Sequence, residues 1–157
     1  MDLGTKVSWR QLDGSPMVRP ELSSILVIWG EPVDSVTRSG RILSGSDGTD
    51  GITLSKDGDT KYWTAVGSRY LYSYSISTVR LRDNGPTSEL LVQGSINNHG
   101  QVGSSDGLET ESNGLIYTVD FGQNATNVFD TASGMVKVPV KGPRIGWTDT
   151  MAVPTDR

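Results

Sequence analysis

A chain of 157 residues has room for one domain, and its net charge of −4, from 14 Lys and Arg against 18 Asp and Glu, argues against a nucleic-acid surface. It holds no cysteine, which excludes a disulfide framework, a thiolate zinc site and a cysteine nucleophile. The N-terminus shows no apolar leader, and the longest apolar run, Ile25–Trp29, is far short of the roughly 18–20 residues of a membrane span, so neither a signal peptide nor a membrane partner is expected.

In chain order, Val7–Arg10, Leu26–Trp29 and Arg41–Ser44 read as short strands, and the stretch from Gly14 to Glu21, with Pro16 and Pro20, has no periodicity. Ile52–Ser55 and Lys61–Ala65 are predicted strands joined by Lys56-Asp57-Gly58-Asp59. Tyr70–Tyr74, with tyrosines at period two, is a third. Glu89–Gln93 is predicted as its outer neighbour, reached by a long connection from Ile76 to Ser88 that Asn84-Gly85-Pro86 marks as loop. Residues 95–105 read as a Gly/Asn/Ser-rich linker. Leu108–Glu111, Leu115–Asp120, Ala125–Asp130 and Met135–Val140 follow as strands, separated by turns at Ser112-Asn113-Gly114, Gly122-Gln123 and Ala132-Ser133-Gly134. No helix is expected.

The two strand sets repeat. Asp50-Gly51-Ile52-Thr53-Leu54 matches Asp106-Gly107-Leu108-Glu109-Thr110, and a third copy begins at Asp149-Thr150-Met151-Ala152-Val153. Repeats of about 40–50 residues built from four short strands are the pattern of β-propeller blades. The expected fold is therefore all-β: an incomplete six-bladed β-propeller of about two and a half four-stranded antiparallel blades. The blades are expected over 50–94 and 106–141, with the start of another over 149–157.

Several segments, in order, carry a resemblance. They are Asp50-Gly51-Ile52-Thr53-Leu54-Ser55, Leu71-Tyr72-Ser73-Tyr74-Ser75-Ile76-Ser77-Thr78 with Leu81-Arg82-Asp83, Ser105-Asp106-Gly107-Leu108, Asn113-Gly114-Leu115-Ile116-Tyr117, Gln123-Asn124-Ala125 and Pro143-Arg144-Ile145-Gly146-Trp147-Thr148-Asp149-Thr150-Met151. Over 39–157 the chain resembles the yellow/major royal jelly protein family, whereas 1–38 matches it poorly. The resemblance implies part of a six-bladed propeller, an extracellular setting and small-ligand binding without established catalysis. The wider clan includes calcium-dependent lactonases of the gluconolactonase type, so such a hydrolase, or a propeller enzyme of secondary metabolism, is the alternative. The number of blades implies a fragment, whose open blade edges would favour self-association.

In a propeller the residue that opens each inner strand stands near the channel mouth, and Asp50, Asp106 and Asp149 hold that place. Converging carboxylates suit a hard cation such as Ca2+, with Asp106 and Asp149 as its candidate ligands, and such a cation could polarise a lactone oxygen. An Asp before Gly also commonly bonds the amides of its own turn. His99, the sole histidine, is a candidate ligand-binding residue or general base if the 95–105 linker overhangs the channel, and otherwise an exposed loop residue. Trp147 is a candidate pocket wall for an aromatic or amine ligand, or a packing residue. Tyr62, Trp63, Tyr70, Tyr72 and Tyr74 could stack on an aromatic amine, but aromatics at alternating strand positions read chiefly as packing between sheets. Asn124-Ala125-Thr126 is a glycosylation sequon that matters only in a secreted setting.

Overall fold

The computed structural model describes residues 4, 6, 8, 10–22, 24–44, 47–79 and 86–154. Their regular structure is mainly antiparallel β, in two four-stranded and two two-stranded sheets. The small sheets come first. Strands β1 (Val27–Ile28) and β2 (Glu31–Pro32) form one hairpin, and β3 (Asp34–Val36) and β4 (Ile42–Ser44) form another. Of the expected first strand, Ser8 and Arg10 are not in a strand, and Val7 and Trp9 lie outside the described residues.

The first large sheet has the order β5 (Thr49–Leu54), β6 (Thr60–Ala65), β7 (Tyr70–Ser75), β8 (Asn97–Gln101). The second has the order β9 (Glu109–Thr110), β10 (Leu115–Asp120), β11 (Ala125–Asp130), β12 (Val136–Lys141). Each is thus a meander that runs outward from its first strand. The turns are those the sequence marks: Gly114 takes φ +86° after Asn113, and Gly134 takes φ +69° where Asp130 Oδ1 accepts the Ala132 amide at 2.9 Å.

Between β7 and β8 the structure departs from the sequence reading. Residues 89–93 are not an outer strand but part of a helix, α2 (Pro86–Gly94), which follows a single helical turn, α1 (Ile76–Val79). Pro suits the first turn of a helix, where its missing N–H costs nothing, and a Glu there favours the positive end of the helix dipole. Val92 is fully buried against Leu12, Trp63 and Tyr74, and Glu89 Oε1 accepts the Leu12 amide at 2.9 Å. The part of the expected loop at 80–85 lies outside the described residues. The fourth strand is instead Asn97–Gln101, inside the expected linker, so only 102–108 crosses to the next sheet. The third repeat copy forms no strand over its described residues 149–154, and 155–157 lie outside them. Among the described residues no further strand is present for it to pair with.

The sheets pack face to face around Tyr62, Leu71, Val102, Leu108, Ile116 and Phe129. Their first strands meet directly, with Thr53 Oγ1 and Thr110 Oγ1 2.9 Å apart. The crossover is pinned where it passes between them. Val102 O accepts Thr118 Oγ1 at 3.0 Å and Asn127 Nδ2 at 2.8 Å, and Ser105 O accepts Thr64 Oγ1 at 3.2 Å. The far face of the first sheet is covered by Leu12, Val92 and half-buried Met17 and Val18 over the Trp63–Tyr74 pair. A third cluster joins Leu26 and Ile28 of the N-terminal part to Val66, Val119 and Phe121.

Candidate functional site

The repeated Asp-Gly step lies at the joint between the sheets. In β5 the pair Asp50-Gly51 stands opposite Thr64 alone, because the register runs from Thr49↔Ala65 to Ile52↔Trp63. That two-against-one bulge bends the strand at its start. Gly51 then meets the backbone of the next copy: a β-carbon there would stand 2.5 Å from Asp106 O. Gly107 repeats the arrangement, and a β-carbon on it would overlap the Asp149 carbonyl. Glycine is required at both positions by close approach. In the third copy the residue in this place is Thr150.

This packing brings the three aspartates together. Asp50 shares a hydrogen bond with Asp106 and lies in the field of Asp106, Asp149 and Asp47. The hydrogen bond to Asp106, then the neighbouring negative charges, raise the Asp50 carboxyl above its ordinary value of 3.8. Trp147 Nε1 donates to Asp106 Oδ2 at 2.6 Å. Trp147 is 44% exposed, and its indole rests against Phe121, with ring centroids 5.1 Å apart. Its loop is held from the N-terminal part of the chain: Trp29 Nε1 donates to Pro143 O at 3.0 Å, and the Trp29 ring lies against Gly146. Among the described residues no Lys or Arg forms an ion pair with these aspartates, and no three carboxylate or imidazole groups are grouped as a metal site.

His99 is elsewhere. It lies in β8, at a bulge where Leu71 stands opposite His99-Gly100, and its side chain turns inward. The ring sits between Tyr62 and Phe129, at 5.7 and 5.2 Å, and Nε2 shares a 2.8 Å hydrogen bond with Ser73 Oγ. Burial lowers its pKa, and the ring packs between the sheets from a strand rather than from a loop. The tyrosines of β7 also pack: Trp63 lies 5.7 Å from Tyr72 and 5.0 Å from Tyr74.

Sequence reasoning missed Phe121, which backs the indole, and Trp29, which seats its loop. Neither carries a local signal, since each acts through a contact distant in sequence. The chain matches no protein-family model, and no curated protein matches it significantly.

Proposed function

We propose that the chain is part of a propeller of the yellow/major royal jelly type and binds a small cationic amine at the start of its inner strands. Three features support the architecture. The first strands of the two sheets adjoin, the crossover runs from the outermost strand of one sheet to the innermost of the next, and the same Asp-Gly contact recurs at both steps. The observation that carries the ligand reading is the Asp50–Asp106 pair beside a partly exposed Trp147. Two carboxylates held this close repel when both are ionised, and a bound ammonium relieves that repulsion while an aromatic ring covers it. Trp147 would stack on the ligand, and Asp106 would both orient the indole and accept from the amine.

The same crowding supports Ca2+ as a second reading, in which Asp106 and Asp149 would be ligands and the bound ion would serve lactone hydrolysis. Titration with phenethylamine, followed by tryptophan fluorescence, tests the first. Saturable quenching that Trp147→Phe removes and Asp106→Asn weakens is expected. If Ca2+ raises Tm and phenethylamine leaves the fluorescence unchanged, the amine reading fails and the cation reading stands.

A further inference from the structure

The turn that carries Trp29 breaks a local rule. In the β1–β2 hairpin Ile28 pairs with Glu31, so Trp29 and Gly30 form a two-residue turn, with φ values of +52° and +84°. Hairpin turns with positive φ at both central positions favour Asn-Gly, because a β-carbon in the left-handed region crowds the backbone. A bulky tryptophan is ill suited to the first position. Leu12 also takes a positive φ, +60°, but it is only 4% exposed and held by the core. Trp29 is 64% exposed, so burial does not account for its conformation. Backbone strain of this kind persists only where the surroundings enforce it, and it clusters at functional sites.

What engages Trp29 is the loop that presents Trp147. Its Nε1 donates to Pro143 O at 3.0 Å, and its ring covers Gly146 so closely that a β-carbon there would stand 2.5 Å from Cζ2. The loop's own backbone bonds are local: Ile145 donates to Gly142 O at 2.9 Å and Thr148 to Gly146 O at 3.0 Å. These bonds shape the loop, whereas Trp29 reaches it from 114 residues away in sequence. The hairpin is also rooted beside the site. Ile28 lies in the same buried cluster as Phe121, whose ring backs the Trp147 indole. The brace is thus anchored at the base of the indole and grips the residue just before it.

We propose that Trp29 is a positioning residue: a latch whose ring holds the 143–147 loop in place and keeps Trp147 hydrogen-bonded to Asp106. The turn resists the tryptophan while the loop contact retains it, so release of the ring relaxes the hairpin and frees the Trp147 loop together. As regulation of amine binding the latch rests on the reading above; as a brace on Trp147 it stands apart from it.

Trp29→Asn separates turn from ring, because asparagine suits the turn and lacks the ring. Its Tm is expected to be no lower than that of the parent. The Trp147 indole N–H, followed by NMR on the full chain without ligand, is expected to exchange about fivefold faster. Gly146→Ala works from the other side: its methyl displaces the far edge of the Trp29 ring and leaves the turn sequence intact, and the same faster exchange is expected. In both variants phenethylamine should bind more weakly by a similar factor, mainly through faster release. Trp147 exchange equal to that of the parent in both variants would overturn the latch. A Tm that falls on Trp29→Asn with Trp147 unmoved would make Trp29 a packing residue and likewise end the proposal. If exchange accelerates but phenethylamine does not bind the parent, the latch stands and the amine reading fails.

Discussion

The two large sheets share strand number and meander order, yet their surroundings differ. The β5–β8 sheet is covered on both faces: the β9–β12 sheet lies on one, and α2 with the N-terminal segment lies on the other. The β9–β12 sheet has its outer strand bare, with every residue of β12 exposed, including Val136, Val138 and Val140. One repeat is thus a finished layer and the other a layer with an unmet side. The difference teaches that the repeated strands set the sheets, while the non-repeated segments decide which of them is sealed.

The largest expected effect lies in the sealed sheet. Trp63→Ala removes a fully packed ring and its hydrogen bond to Met17 O, 2.9 Å long, and should cost about 3–5 kcal/mol by denaturant unfolding. The matching change in the bare strand, Val138→Ala, should stay within about 0.5 kcal/mol. Equal losses at the two positions would break the comparison. Gly107→Ala, at the joint, forces the Asp149 backbone away and should cost about 1–3 kcal/mol, whereas Thr150→Gly should change little. Hydrogen exchange should rank the same way, with β12 amides exchanging well before those of β6. Val136→Lys should leave stability nearly unchanged but reduce self-association in sedimentation, because it places a charge on an exposed edge strand.

The smallest effect is electrostatic. Asp50 has its pKa raised in the fold by its bond to Asp106 and the charges around it. Its contribution is therefore fully present below the ordinary value of 3.8 and is lost as pH rises through the raised value. Asp50→Asn should give a slightly higher Tm than the parent at neutral pH and no advantage at pH values below the ordinary carboxylate range. Because the group is solvent-exposed, the gain should shrink in salt. An Asn variant that is less stable at neutral pH would contradict the proton-sharing pair.

The strands of the second sheet were legible because period-two apolar residues and Asn-Gly or Ser-Gly turns coincide there. The first sheet was legible through β7 only. Asn97–Gln101 carries two asparagines, a histidine and a glycine, so it has little intrinsic β preference, and its pairing is imposed by the Tyr70–Ser73 edge and by the burial of His99. Conversely, Leu90, Leu91 and Val92 look strand-like once a fourth strand is sought, although Pro86, Glu89 and Gly94 spell a helix. For the aspartates, spacing alone placed the three at equivalent positions; that Gly51 and Gly107 serve as sockets for the following carbonyl required coordinates.

Thr150 carries a consequence for anything that follows or docks. Each earlier step closes by seating a carbonyl on a bare α-carbon, and here a branched side chain already fills that seat. Another backbone cannot approach Thr150 as closely as Asp106 and Asp149 approach Gly51 and Gly107. The socket that joins the two sheets is thus used at Gly51 and Gly107 and is not offered a third time at Thr150.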